Sequence, residues 1–246
     1  MRLLALIYAE DAFYEKVTLD TGMARELTRE EIAAMRRSYG QAGLEALPDD
    51  PFVAFAQWLA QAHDNPMIVE PNAMVLSTVN HDGAMSARTV LLKDISRNGF
   101  TFFTNYQSRK GLAIHSQPKV SLLFPWYAME RQLIIVGEAE QISREETEEY
   151  FATRPWGSKI GAWASRQSAP LASREELQER WDGAAAKWPE GCEVPTPPHW
   201  GGYRVFPHEI EFWQGRHSRL HDRLRYERII TDGSAEIKWQ IGRFYP

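Results

Sequence analysis

The sequence predicts a mainly β fold of the α+β class, with a largely antiparallel sheet and peripheral helices. Short segments rich in β-branched and aromatic residues follow one another from residue 73 onward. The pairs Asp82-Gly83 and Asn98-Gly99 separate the first of them, as hairpin turns do. Strands do not alternate regularly with helices, which disfavours a parallel sheet. A small β-barrel carrying helices on its periphery is the simplest architecture with these features.

Helices are predicted from apolar spacing and from capping residues. Asp50 and Pro51 suit the N-cap and first position of one helix. Ser143 and Glu146 form a capping-box pattern that opens another, and Pro155 is expected to end it. The predicted helices cover residues 28–42, 50–63, 108–116, 143–153 and 173–187.

Strands are predicted where the apolar period shortens towards two. A connector with four prolines, residues 189–198, separates an early group from a late group that is expected to rejoin the same sheet. The predicted strands cover residues 73–79, 87–92, 100–105, 120–124, 132–139, 202–207, 210–214, 224–230 and 237–241.

Length and composition indicate one globular domain. Of the 246 residues, 43% are hydrophobic and 25% are charged, a balance that allows a substantial core. We expect residues 28–246 to form this domain. Residues 1–27 are expected to be an N-terminal extension, either disordered or the product of an overcalled start.

Charge and cysteine content restrict the partners and the compartment. The net charge of -5 argues against nucleic-acid and anionic-membrane surfaces. The apolar stretch at residues 3–9 is too short to span a bilayer. Cys192 is the single cysteine, so no intrachain disulfide can form, and a cytoplasmic location is expected.

Several common sites are absent from the sequence: a Walker A loop, a Gly-x-Gly-x-x-Gly turn, paired cysteine ligands and a Gly-x-Ser-x-Gly elbow. His217 and His221 are four residues apart, but Arg216, Arg219 and Arg223 surround them with positive charge that opposes a cation. We therefore expect no metal site.

Two basic clusters suit anions. Arg88 and Lys93 delimit a predicted strand, and Arg109-Lys110 stands at a predicted helix start, where free N–H groups favour a phosphate monoester. Surface clusters of this kind are common, and a solvated basic turn explains the residues better on spacing alone. Tyr150, Arg154 and Ser158 could likewise converge on a second anion. Spacing does not separate this from an arginine that stabilises a helix C-terminus, which is again the favoured explanation.

A third cluster lies near the C-terminus. If the segment is extended, Arg219, His221 and Arg223 point one way, and Leu220 and Asp222 point the other. Three cationic or titratable groups on one face favour an anionic or electron-rich ligand. A salt-bridge ladder with Asp222 explains the pattern equally well.

These stretches together resemble the pyridoxine/pyridoxamine 5′-phosphate oxidase family from about residue 36 to residue 246. The resemblance is carried by RTVLLK at 88–93, SRKG at 108–111, SLLFPW at 121–126, IGAWASRQS at 160–168, FWQG at 212–215 and RLHDR at 219–223. It implies an FMN-binding split β-barrel that forms a homodimer with FMN at the subunit interface. The implied reaction is the oxidation of pyridoxamine or pyridoxine 5′-phosphate to pyridoxal 5′-phosphate, with O2 as acceptor and H2O2, plus ammonia from the amine, as by-products.

The resemblance also implies roles for individual residues. Ser38 and Phe103 depart from the family pattern, where glutamate and tyrosine are expected. Arg219 and His221 would be catalytic. The implied FMN-binding residues are Arg88, Thr89, Val90, Leu91, Leu92, Lys93, Phe103, Thr104, Arg109, Lys110, Gln132, Gln167, Ser168, Trp213 and Arg223. The implied substrate-binding residues are Arg36, Tyr39, Lys93, Tyr150, Arg154, Ser158, Arg219, Leu220 and His221.

Two other functions are compatible with the sequence. The first is a related flavin oxidase that acts on another reduced heterocycle, as in phenazine biosynthesis. The second is a protein that binds flavin or pyridoxal phosphate without turnover. Lys93, Tyr150, Arg154 and Ser158 together favour a phosphorylated substrate over the first, and Arg219 with His221 favours catalysis over the second.

Overall fold

The computed structural model describes residues 27–35, 37–229 and 237–246. Internal contacts divide the chain into two units, residues 1–37 and residues 38–246. The described part of the first unit contains helix α1 (Arg29–Ala34), which the capping box of Thr28 and Glu31 begins. Residues 1–26 and Arg36 lie outside the described residues, so the expected extension and the substrate-binding role of Arg36 stay predictions.

The predicted helix over residues 28–42 is wrong beyond Ala34. The chain from Ser38 onward bonds to distant parts of the second unit instead of to itself. The Gly40 N–H donates to Glu130 Oε2 at 2.8 Å, and the Gly40 carbonyl accepts from the His217 N–H at 3.1 Å. These tertiary bonds satisfy backbone groups that a helix would have paired locally.

The other predicted helices are confirmed, and one more is present. Asp50 caps its helix by accepting from the Phe52 N–H at 2.8 Å, and Ser143 and Glu146 form the predicted capping box. The additional helix, α5 (Trp156–Ala164), directly follows Pro155, the residue expected to end the preceding helix. Proline is tolerated at a helix start because the N–H that it lacks has no intrahelical partner there. The second unit contains α2 (Pro51–His63), α3 (Arg109–Ser116), α4 (Arg144–Ala152), α5 (Trp156–Ala164) and α6 (Arg174–Lys187).

The strands form one antiparallel sheet, as predicted. Gly83 and Gly99, with φ of 82° and 137°, supply the turn conformations of the first two hairpins. The short strand β3 was not predicted. The strands are β1 (Ala73–Val79), β2 (Met85–Leu91), β3 (Asp94–Ser96), β4 (Gly99–Asn105), β5 (Lys119–Trp126), β6 (Arg131–Gln141), β7 (Trp200–Gln214), β8 (Asp222–Ile229) and β9 (Lys238–Phe244).

Strand β7 is continuous where two strands were predicted. A bulge at His208, between Pro207 opposite Gly137 and Glu209 opposite Val136, lets the strand pass through a proline. One edge of β7 pairs with β6 along almost its whole length. The other edge is divided, because residues 200–205 pair with β4 and residues 209–214 pair with β8.

The sheet follows the order β2-β1-β5-β6-β7-β4-β3, with β8 and β9 attached to the far half of β7. It curls so that β2 approaches β4. This is a split barrel, and the predicted fold class is confirmed. No helix in the described ranges is long and apolar enough to cross a membrane.

Helix α2 fills the curl of the sheet. Phe55 packs against Phe100 and Phe124 with ring centroids 5.0 and 5.2 Å apart, and Trp58 packs against Phe212 at 4.9 Å. A separate apolar cluster of Phe151, Ile160, Val194 and Trp200 joins α4 and α5 to the start of β7.

We predict that Phe55→Ala lowers the free energy of unfolding by about 3–5 kcal/mol, because Phe55 is fully buried against rings that cannot collapse into the space. Val53→Ala on the same helix is the control; Val53 is 46% exposed and its loss should cost less than about 0.5 kcal/mol. Urea denaturation of both variants provides the comparison, and equal losses would contradict this description of the core.

Candidate functional site

A cavity of about 540 Å³ lies where β2, β4, α3, α4, α5 and the start of β7 meet. Strand residues form one wall and helix residues the other. Its lining consists of Arg88, Thr89, Val90, Leu91, Lys93, Phe103, Thr104, Asn105, Lys110, Tyr150, Arg154, Ser158, Gly161, Ala162, Ser165, Gln167 and Trp200.

The cavity is strongly cationic. Its lining includes Arg88, Lys93, Lys110 and Arg154, and no aspartate or glutamate. Partly buried positive charges without counter-ions are costly, so the arrangement is suited to an anionic ligand.

Lys110 and Arg88 form one end of this cationic lining. Lys110 is buried and donates to Gln167 Oε1 at 2.8 Å and to Thr104 Oγ1 at 3.1 Å. Burial, followed by repulsion from Arg88, lowers the pKa of Lys110 to about 8. Arg88 donates to Thr78 Oγ1 and to the Leu76 carbonyl, and burial lowers its pKa, with Arg109 adding repulsion. These bonds hold both cations in place without neutralising them.

Arg154 is held differently, by aromatic rings. Its Cζ lies 4.6 Å from the ring centroid of Trp200 and 5.5 Å from that of Phe151. Its Nη1 is buried and has no hydrogen-bond partner among the described residues, and burial lowers its pKa. A buried donor without a partner, on a side chain that lines a cavity, is what an anionic ligand would satisfy.

Aromatic rings form the wall beside Arg154. Phe103 stacks on Tyr150 with centroids 3.9 Å apart and planes 17° apart, and on Trp200 at 5.3 Å and 12°. This three-ring stack joins β4, α4 and β7. It places apolar ring surface next to the cations in the cavity lining.

The cavity brings together most of the residues expected to bind cofactor and the phosphate end of the substrate. Leu92 lies apart, since its side chain is in the core and its backbone bonds to Asn72. Arg109 and Ser168 line an adjoining groove that shares Gln167 and Asn105 with the cavity. The predicted residues that do line the cavity are Arg88, Thr89, Val90, Leu91, Lys93, Phe103, Thr104, Lys110, Gln167, Tyr150, Arg154 and Ser158.

Sequence reasoning missed five residues of the lining. Trp200 follows the proline connector and carried no motif, and Asn105 ends a predicted strand. Gly161, Ala162 and Ser165 belong to the helix that was not predicted or follow directly after it. An apolar repeat on one helix face, Ile160 with Ala164, was the signal available for α5.

The remaining predicted residues belong to a second region, which we call the Trp213 patch. Trp213 stands in register with Gln132 on β6 and with Arg223 on β8. The rings of Tyr39 and His221 lie 5.8 and 4.6 Å from that of Trp213. The patch consists of Tyr39, Gln132, Trp213, Arg219, Leu220, His221 and Arg223.

The extended conformation considered for residues 219–223 is present only from Asp222 onward. His217–Arg219 form a 3-10 turn in which Ser218 and Arg219 have φ of 59° and 64°, and β8 begins only at Asp222. Arg219, His221 and Arg223 therefore do not line one face of a strand. Left-handed backbone in two consecutive non-glycine residues is uncommon, and nothing in their side chains signals it.

The salt-bridge ladder with Asp222, the alternative explanation for this segment, is present in part. Asp222 bonds to Arg216 at 3.3 Å and to Arg243 at 2.6 Å. Arg223 donates to both oxygens of buried Glu211, at 2.9 and 2.8 Å, and this contact raises the pKa of Arg223. Arg223 is thus already paired with a carboxylate within its own chain.

The cavity and the Trp213 patch lie at opposite ends of β7. Trp200 opens the strand at the cavity, and Trp213 stands near its other end. At about 3.3 Å per residue, the two tryptophans are separated by roughly 40 Å of strand. Among the described residues no group of three or more His, Cys, Asp or Glu side chains is placed to hold a metal ion.

Comparison with known proteins relates most of the chain to one family. The family model described as pyridoxamine 5′-phosphate oxidase matches residues 60–184, and that of the pyridoxine 5′-phosphate oxidase C-terminal dimerisation region matches residues 200–246. A pyridoxine/pyridoxamine 5′-phosphate oxidase of Thermobifida fusca is 50% identical over 217 residues, 87% of this chain and 97% of that protein. One of Rubrobacter xylanophilus is 52% identical over 205 residues, 82% of this chain and 94% of that protein.

Two solved structures are also similar. PhzG from Burkholderia lata 383, in complex with tetrahydrophenazine-1-carboxylic acid, has a TM-score of 0.73 and 33% identity over 81% of this chain and 94% of its own. A pyridoxamine 5′-phosphate oxidase-related, FMN binding protein of Nostoc punctiforme has a TM-score of 0.61 at 16% identity, over 78% of this chain and 97% of its own. The latter likeness supports the fold alone.

We predict that sulfate stabilises the ligand-free protein and that this effect weakens as the pH rises through about 8. Below that pH Lys110 is charged and can bind an anion; above it the charge is lost, while sulfate keeps its own charge. Without sulfate, the free energy of unfolding rises with pH between the pKa of Lys110 in the folded protein, about 8, and its ordinary value of 10.5. The reason is that burial penalises the charged form of Lys110. The melting temperature in sulfate is therefore compared with that in chloride of equal ionic strength at about pH 7 and about pH 9.5.

Lys110→Met should reduce the sulfate effect and remove its pH dependence, whereas Lys119→Met, at an exposed lysine of β5, should leave both unchanged. A sulfate effect independent of pH in the unmodified protein would refute the role of Lys110.

Proposed function

The chain belongs to the pyridoxine/pyridoxamine 5′-phosphate oxidase family and is an enzyme of that class, and on this premise we propose its reaction and site. It oxidises pyridoxamine 5′-phosphate and pyridoxine 5′-phosphate to pyridoxal 5′-phosphate with bound FMN. Dioxygen is the electron acceptor, H2O2 is released, and the amine also yields ammonia.

The observation that carries this proposal is the cationic cavity. Four cations and no carboxylate line about 540 Å³ of space. FMN and the proposed substrates each bear a phosphate, so both require such charge. The residues present therefore fit the cofactor that the family implies. Nη1 of Arg154, which has no partner in the part of the chain that the structure describes, could donate to a phosphate oxygen.

We assign the two ends of the lining to the two phosphates. Arg88 and Lys110 would hold the FMN phosphate, since they lie together next to the N-terminus of α3. Arg154, with Tyr150 and Ser158, would hold the substrate phosphate, and Lys93 lies within the same lining. The Phe103–Tyr150–Trp200 stack would exclude water beside it.

When bound, FMN would supply the redox chemistry, taking a hydride from the substrate carbon and passing electrons to dioxygen. The chain's own residues would bind, orient and shield the reactants. Arg219 and His221 would orient the pyridine ring, with Arg219 contributing positive charge beside it. Tyr39, which packs against Trp213 and His221, would help cover the ring.

We further propose that each site is built from two subunits. Roughly 40 Å of β7 separates the cavity from the Trp213 patch, too far for one FMN and one substrate to bridge. Pairing of two copies through the region that matches the dimerisation model, residues 200–246, would bring the cavity of one beside the patch of the other. Gln132, Trp213 and Arg223 would then reach the flavin from the partner subunit.

A related oxidase of another heterocycle is the second candidate, favoured by the similarity to PhzG. The ligand named for that structure carries a carboxylate and no phosphate. The phosphate requirement of the substrate therefore separates the two proposals.

The test of the reaction is an aerobic assay of the FMN-loaded protein with pyridoxamine 5′-phosphate, pyridoxine 5′-phosphate and unphosphorylated pyridoxine. Aldehyde and peroxide are expected in equal amounts from the phosphorylated pair. Unphosphorylated pyridoxine should react at least about a hundredfold less efficiently, because it leaves buried cations unpaired. Turnover of a reduced phenazine precursor alone would favour the second candidate, and a flavin-loaded but inert protein would favour a binding role.

Subunit complementation tests the shared site. Arg154→Ala damages the cavity and Arg219→Ala damages the patch, so each variant alone should turn over poorly, and Arg219→Ala should keep its FMN. In mixed dimers half of the assemblies are hybrids with one intact site, so activity should return to about one quarter of the unmodified level. A mixture that stays as inactive as its components would show that cavity and patch act within one subunit. Mixing Arg154→Ala with Lys110→Met, both in the cavity, is the matched control that should restore nothing.

A further inference from the structure

The two ring nitrogens of His221 have different surroundings. The Arg216 backbone N–H donates to Nδ1 at 3.0 Å. A backbone N–H can only donate, so Nδ1 must be unprotonated and accept. A neutral ring in this position carries its proton on Nε2, which forms no hydrogen bond with any other residue in the described part of the chain.

Aromatic neighbours restrict the orientation of the ring. Trp213 lies 4.6 Å away with planes at 45°, and Tyr39 lies 5.5 Å away with planes at 75°. A flip of the imidazole would remove Nδ1 from the Arg216 N–H and leave that donor without its acceptor. Packing and hydrogen bonding therefore favour the same ring position.

The Arg216 N–H that donates to His221 is held in place by contacts on both sides of it. The Arg216 side chain bonds to Asp222 Oδ2 at 3.3 Å, and the next N–H, of His217, donates to the Gly40 carbonyl at 3.1 Å. The turn then closes through the left-handed residue Ser218 and the Leu220 N–H, which donates to the His217 carbonyl. The position of the Arg216 N–H is thus a consequence of tertiary contacts.

The charged neighbours of His221 also favour a neutral ring. Burial, followed by repulsion from Arg219, lowers its pKa. The closest carboxylate in sequence, Asp222, is already bonded to Arg216, to Arg243 and to the Leu44 N–H. Tyr39 contacts the imidazole through an edge-type ring contact.

We infer that His221 is held as the Nε2–H tautomer and acts as a hydrogen-bond donor to an oxygen or nitrogen acceptor on the substrate ring, and not as a proton acceptor. The tautomer follows from contacts within the chain and requires no ligand. The donor role rests on the proposed function.

The tautomer is measured on the ligand-free full-length protein by two-bond 1H–15N correlation with 15N-labelled histidine at about pH 7.5, where the ring is neutral. The signals of His221 are identified by their absence in His221→Gln. We expect Nε2 to resonate as a protonated nitrogen and Nδ1 as an unprotonated one. The reverse pattern, a mixture of both or a charged ring would overturn the inference, whatever the enzyme's activity.

The donor role is measured by a pair of substitutions in the FMN-loaded enzyme. His221→Gln keeps an amide donor near the position of Nε2, whereas His221→Met has similar bulk and no donor. We expect kcat/KM to fall less than about tenfold in the first and about a hundredfold in the second, as for loss of one hydrogen bond to a polar ligand. Equal losses would refute the donor role, while an inert unmodified enzyme would refute the proposed function and leave the tautomer result intact.

Discussion

The divided edge of β7 is the constraint on which the rest of the structure depends. One strand of fifteen residues bonds to β6 along one side, and to β4 and then β8 along the other. Backbone groups within a sheet must be paired, so the change of partner opens the barrel where β4 leaves and β8 begins. A bulge at His208 makes this possible by bending the strand and accommodating Pro207. The cavity lies at one end of this strand, and the Trp213 patch lies at the other.

Positive charge at the cavity conflicts with the stability of the isolated chain. Burial lowers the pKa of Lys110, Arg88 and Arg154, so the charged forms that the site needs are the forms that the fold disfavours. Hydrogen bonds to Thr104, Gln167 and Thr78 hold the first two cations in place. An anionic ligand would relieve this conflict, which gives binding a contribution to stability.

The two regions are preorganised by different means. In the cavity, Arg154 is placed by the faces of Trp200 and Phe151, and its Nη1 has no hydrogen-bond partner among the described residues. In the Trp213 patch, His221 is placed by a backbone hydrogen bond and by two rings, and within the described ranges its Nε2 has no hydrogen-bond partner. In both cases non-polar or backbone contacts fix the geometry, so that polar atoms remain available for a ligand.

Local signals in the sequence determined much of the fold. Asp50 with Pro51, the Ser143–Glu146 capping box, and Gly83 and Gly99 act within a few residues of themselves, and the elements that they predicted are present. The family resemblance likewise rests on short motifs, and the comparisons confirm it. The same motifs identified most of the cavity lining, although the roles of those residues stay predictions.

Only the tertiary structure decided the features that depend on distant partners. The chain after Ala34 leaves the helix because Gly40 bonds to Glu130 and His217, and β7 is continuous because a bulge at His208 accommodates Pro207 opposite Gly137. The convergence of Arg88 with Arg154, the turn before β8 and the separation of the cavity from the patch are likewise set by long-range pairing. A local pattern carries the propensity of its own segment, and it does not record which remote segment will satisfy its backbone and its charges.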